Sequence, residues 1–158
     1  MRSYQVFAAM PLDRAVAVMG GISKDAPQMF KQALVAASAS MNARPVYLQK
    51  QPFEKQVEAI RRALSRVAAN GVAEEILAIY FLECRKKLLI EWLDLLGIKH
   101  EDGILESDSP LAPKKTQLQK ARDAFCGADA DADRSLLLKA FAAQSAIDWP
   151  DLEALLDK

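Results

Sequence analysis

From Phe53 to Val67 the apolar residues Phe53, Val57, Ile60, Leu64 and Val67 recur at intervals of four, three, four and three. That spacing gathers them on one side of an α-helix and would scatter them over both faces of a strand. It predicts a helix from Pro52 to the stop signal Asn70-Gly71, with Lys55, Arg62 and Arg66 on the side opposite the apolar stripe. The segment 72–97 is more apolar still, with Leu77, Phe81, Cys84, Leu88, Trp92 and Leu95 in one stripe and Ala78, Leu82, Leu89, Leu93 and Leu96 in a second beside it. Two adjoining stripes predict a long central helix that packs against neighbours on two sides. Glu83, Lys87 and Glu91 fall on its remaining face as a solvated row of alternating sign.

The rest of the chain agrees with a helical reading. Ala and Leu supply 47 of the 158 residues, whereas Val, Ile and Thr supply 17, and β-branched side chains lose more freedom in a helix than straight or small ones. The expected fold is therefore all-α, a compact single-domain bundle over 1–158 with about seven or eight helices. Pro11 opens a helix that Gly20-Gly21 closes. Ser23 or Asp25 caps the next, with Pro27 in its first turn, and Asn42 caps a short one over 43–50. Beyond a polar connection over 98–113, three further helices are expected at 114–126, 134–145 and 149–157, with Asp133 and Asp148 as caps of the last two. Within the connection, Asp102-Gly103 suits a hairpin turn that packs Ile98 and Ile104 onto the bundle.

The formal net charge is zero, but it hides a division: residues 1–70 hold ten Lys/Arg against four Asp/Glu, and residues 71–158 hold eleven against seventeen. A basic half (1–70) and an acidic half (71–158) fit either a nucleic-acid partner or faces of opposite sign that attract each other. The basic stripe lacks residues placed to read or stack bases, and the sequence pI is near 6.6. Protein faces are thus favoured, with nucleic acid bound by Lys55, Arg62 and Arg66 as the alternative.

The inventory excludes several chemistries. His100 is the one histidine, which rules out a chelate built from several histidines of the chain, and no nucleophile motif or glycine-rich phosphate loop occurs. Asp129, Asp131 and Asp133 imitate the start of a calcium-binding loop, but Arg134 stands where that loop needs Gly and Ala140 where it needs Glu. A polar turn with Asp133 as helix cap is the expected role. Cys84 and Cys126 read as reduced thiols among apolar neighbours.

Two residues stand out as candidates for a second alternative, a small-ligand or enzyme site. Arg85 projects between the apolar stripes of 72–97, where a guanidinium must pair, snorkel or line an opening. His100 lies among the carboxylates Glu101, Asp102, Glu106 and Asp108. No cofactor, metal or membrane is expected, the apolar run before Pro11 is too short for a secretory signal, and a cytoplasmic location follows. The expected function is that of a non-catalytic protein-interaction or regulatory protein, binding another protein or a second copy of itself.

Overall fold

The computed structural model describes residues 1–157 and is all-α. Its helices are α1 (Ser3–Ala9), α2 (Leu12–Asp25), α3 (Pro27–Ser40), α4 (Pro45–Gln49), α5 (Phe53–Leu64), α6 (Asn70–Ile79), α7 (Lys86–Leu96), α8 (Lys115–Gly127), α9 (Ala132–Ala142) and α10 (Pro150–Leu156). The described strands, β1 (His100–Glu101) and β2 (Ile104–Leu105), form one small antiparallel hairpin with His100 opposite Leu105. No helix among the described residues is long and apolar enough to cross a membrane.

Contacts divide the chain after Cys84 into two compact units: residues 2–84, and residues 85–158 together with Met1. The charge boundary read at residue 70 does not coincide with this division. Counted by unit, the N-terminal one carries ten Lys/Arg and seven Asp/Glu, and the C-terminal one eleven and fourteen. The contrast between +6 and −6 thus becomes one between +3 and −3, because Glu74, Glu75 and Glu83 belong with the basic residues.

In the N-terminal unit α5 packs against α1, α2 and α3, and α6 packs against α1. Val57, Ile60 and Leu64 of the predicted stripe are buried, together with Phe7, Met19, Ile22 and Ile76. The stripe stops there. Val67 is 60% exposed because α5 ends at Leu64 and residues 67–69 form a separate 3-10 turn. In the C-terminal unit α7, α8 and α9 pack on one another and α10 packs on α8 and α9. Both tryptophans lie here. Trp92 sits between Phe125 and Phe141, with ring centroids at 5.4 and 6.0 Å, and Trp149 stacks edgewise on Phe141 at 5.3 Å.

Several local expectations are overturned by contacts distant in sequence. Residues 3–9 form a helix ahead of the first one expected, and α2 runs through Gly20-Gly21 to Asp25. Gly21 serves close packing instead of termination: a Cβ there would lie 3.1 Å from the Tyr80 ring and 3.3 Å from Cys84 Sγ. Asn70-Gly71 begins α6 in place of ending its predecessor. Asn42 caps no helix start; its positive φ of 53° turns the chain out of α3, with Ala43 N–H donating to Ser38 O at 2.9 Å.

The long helix expected over 72–97 is not continuous. Residues Tyr80–Cys84 form a π-helical turn, and Arg85 adopts φ −132° and ψ 42°, which ends one helix and caps the next. Nothing in the local sequence opposes a helix through this point, so the interruption is imposed by packing. Tyr80 and Phe81 are buried within the N-terminal unit, where Gly21 admits the wider turn, while Arg85 pairs with Asp133 of its own, C-terminal unit. The Asp102-Gly103 turn forms as expected, with both residues at positive φ, but Ile104 is 61% exposed and does not join a core.

Candidate functional site

Two of the three stripe residues border a groove in the N-terminal unit. The chain leaves α3 through Asn42 and enters α4 at Pro45, whose fixed φ suits a first helical position. The short α4 buries only Leu48 and leaves Val46 and Tyr47 each 55% exposed. It is pinned to α5 by Gln56, whose Nε2 donates to the carbonyls of Gln49 at 3.1 Å and Gln51 at 2.9 Å, satisfying backbone groups at the end of α4. Between α4, the end of α3 and α5 lies an open groove of about 210 Å³. Met41, Tyr47 and Leu48 supply its apolar part, and Lys55, Glu58 and Arg62 its charged part.

The cations there are loosely held. Glu58 lies 3.9 Å from Lys55 Nζ and 3.6 Å from the Arg62 guanidinium, both longer than a hydrogen bond. Their side chains are 69% and 71% exposed, so either contact contributes little to folding and is readily exchanged. Arg66 is not part of this surface as the sequence predicts. α5 ends at Leu64; the capping Ser65 donates its Oγ–H back to Arg61 O at 2.6 Å, and Arg66 is in an extended conformation beyond it.

Arg85 belongs to an ionic cluster of the C-terminal unit. Its guanidinium bonds to Asp131 and, at 2.7 Å, to Asp133. Asp131 also caps α9 by accepting from Asp133 N–H at 3.0 Å, the role the sequence assigns to Asp133. Asp133 is buried and faces Arg85 instead. Next to it Arg134, 8% exposed, donates to Asp129 at 2.8 and 3.1 Å, to Glu91 at 3.0 Å and to Phe125 O at 3.2 Å. Its guanidinium carbon lies 4.8 Å from the centre of the Phe125 ring. Glu91 is therefore a partner in the cluster, beyond the solvated row expected on α7.

This turn joins two helix ends. Arg134 serves a carbonyl in the last turn of α8, and Asp131 serves an amide in the first turn of α9. Arg134 holds Asp129, and Arg85 holds Asp131, below the usual carboxylate range. The three aspartates are directed at arginines, and no metal-binding cluster of three or more His, Cys, Asp or Glu occurs among the described residues. Because the folded values are lowered, their stabilisation is fully present above an ordinary aspartate value of about 4. It is lost as pH falls through the lowered values. An acid titration followed by tryptophan fluorescence should show the C-terminal unit losing stability below about pH 4. In Asp129→Asn/Asp131→Asn that pH dependence should flatten, even though the variant starts less stable.

His100 is bound in place. Its Nε2 pairs with Asp94 at 2.8 Å and its Nδ1 accepts the Gly103 N–H at 3.1 Å, so the proton of a neutral ring sits on Nε2. Nδ1 closes the hairpin turn and Nε2 ties the hairpin to α7, as does the contact of Lys86 with Asp102 at 2.9 Å. An open cleft of about 740 Å³ lies nearby, bordered by Leu96, Lys99, Glu106, Ser109, Leu111 and Gln117. Gln117 is spent on the Leu96 carbonyl at 3.2 Å, and Arg85 and His100 are not among its lining residues. Cys126, expected among apolar neighbours, is exposed, and neither cysteine is part of a disulfide. Partial desolvation of its Sγ, opposed by the charges of Arg122 and Arg134, pushes the Cys126 pKa up, away from the nucleophilic thiolate.

Sequence reasoning singled out Lys55, Arg62 and Arg85 but missed Tyr47 and Met41, and it treated Arg134 only as a departure from a calcium loop. An arginine followed by the unbroken apolar run Leu136-Leu137-Leu138 was the available signal for the last of these. No family model matches the chain, and neither the curated proteins nor the solved structures yield a match.

Proposed function

We propose that the chain is a non-catalytic protein-interaction module whose N-terminal unit takes an acidic, leucine-bearing protein segment in the groove between α3, α4 and α5. The observation that carries this reading is the pairing of an exposed apolar floor, Met41 and Tyr47, with two solvent-facing cations, Lys55 and Arg62. An aromatic anchor with arginine beside it is the combination that most often concentrates binding energy at protein interfaces. The volume of about 210 Å³ falls below the 300–1,000 Å³ usual for small-molecule sites and suits one or two inserted side chains. Glu58 between the two cations, and Arg66 off the helix, weaken the alternative of a phosphate-tracking face. Engagement of both His100 nitrogens and of Arg85 argues for non-catalytic roles in the C-terminal unit.

The test is fluorescence anisotropy of a labelled peptide of Glu and Leu, alongside a Lys/Leu control and single-stranded DNA and RNA, at low and moderate salt. The acidic peptide should bind with a Kd of about 10–100 µM, as small polar-rimmed contacts do. Arg62→Glu should weaken it about tenfold or more, and Tyr47→Ala by a similar factor. Binding of the nucleic acids but not of the peptide would install the alternative; binding of neither would remove the groove as a site.

A further inference from the structure

We infer that the segment this groove takes is residues 106–111 of a second copy of the chain, an inference that rests on the reading just proposed. Leu111 is 90% exposed, more than any other large hydrophobic residue among those described. It is presented rather than loose. Pro110 and Pro113 restrict the backbone on either side, and the Pro110 carbonyl accepts the Trp149 Nε1–H at 3.1 Å, with Trp149 itself buried. An anchor fixed in this way loses little freedom on binding.

The charges around it match the groove. Glu106 and Asp108 precede Leu111 and are exposed, whereas Lys114 and Lys115 lie beyond Pro113 where α8 begins. Seating Leu111 against Met41 and Tyr47 brings an acidic flank to a groove whose exposed cations are Lys55 and Arg62, with Arg44 and Lys50 exposed at the ends of α4. The units they belong to carry opposite net side-chain charge, +3 and −3, which favours this pairing over contact between like surfaces. The contact is heterologous, one copy's segment in another copy's groove, so each molecule has one donor and one acceptor surface.

The test uses sedimentation of the full chain over a concentration series at low and high salt, with two variants at exposed positions. Wild-type protein should show an average mass rising with concentration above the 17.4 kDa of one chain, and less so at high salt. Arg62→Glu blocks the groove and keeps the segment; Leu111→Asp blocks the segment and keeps the groove. Each alone should remain monomeric, and an equimolar mixture should form a dimer and nothing larger, because only one complementary pair of surfaces survives. A wild-type chain that stays monomeric throughout, a Leu111→Asp variant that associates like wild type, or a mixture that stays monomeric overturns the inference. If the acidic peptide still binds in that event, the groove remains a protein site with another occupant; if it does not, the reading beneath fails as well.

Discussion

Replacing Arg134 with alanine is expected to destabilise the C-terminal unit by about 2–4 kcal/mol. The side chain is 8% exposed and serves Asp129, Glu91 and the Phe125 carbonyl while its guanidinium stacks on the Phe125 ring. Removing one member of a buried charge pair typically costs about 3–5 kcal/mol, because the partner is left uncompensated. Here Asp129 and Glu91 are 55% and 39% exposed and can regain water, which lowers the expected loss. The Phe125 carbonyl cannot, and neither can the ring recover its contact. Arg134→Met keeps much of the stem over Phe125 and should lose less than alanine; Arg134→Lys keeps the charge but not the fork that reaches three acceptors. Urea unfolding followed by tryptophan fluorescence decides the matter, and a loss under about 0.5 kcal/mol would make the cluster an ordinary surface network.

Trp92→Ala should cost about 3–5 kcal/mol, the range for removing a large aromatic from a packed core. Trp92 is fully buried against Phe125 and Phe141, so the cavity opens where α7, α8 and α9 meet. Trp92→Phe should cost far less, below about 1.5 kcal/mol. The reason is chemical as well as steric: among the described residues the indole Nε1–H meets no acceptor, so phenylalanine gives up no protein hydrogen bond. Fluorescence of the remaining Trp149 follows both variants. A phenylalanine variant as unstable as the alanine one would show that the indole N–H carries weight in this core.

What the sequence announced was what neighbours along the chain decide. The burial of Val57, Ile60 and Leu64 followed from their spacing, and the place of Pro27 in the first turn of α3 from the fixed φ and missing N–H of proline. What it concealed was decided by residues far away. Gly20-Gly21 reads as a stop until Tyr80 and Cys84 are seen against Gly21. Arg85 interrupts a run of good helix formers because its partners lie at 131 and 133. The groove was half legible: Lys55 and Arg62 stood out by period, whereas Tyr47 and Met41 join them only because Asn42 reverses the chain. Periodicity reports which side of a helix faces inward and is silent about which outward residues from different helices become neighbours.

The division after Cys84 also sorts the aromatic side chains by colour. Tyr4, Tyr47 and Tyr80 all lie before it, and Trp92 and Trp149 both lie after it. Indole emission therefore reports the folding of one unit and phenol absorbance that of the other. Tyr47 places one chromophore beside the groove, so occupancy and unfolding can be watched in a single unlabelled sample.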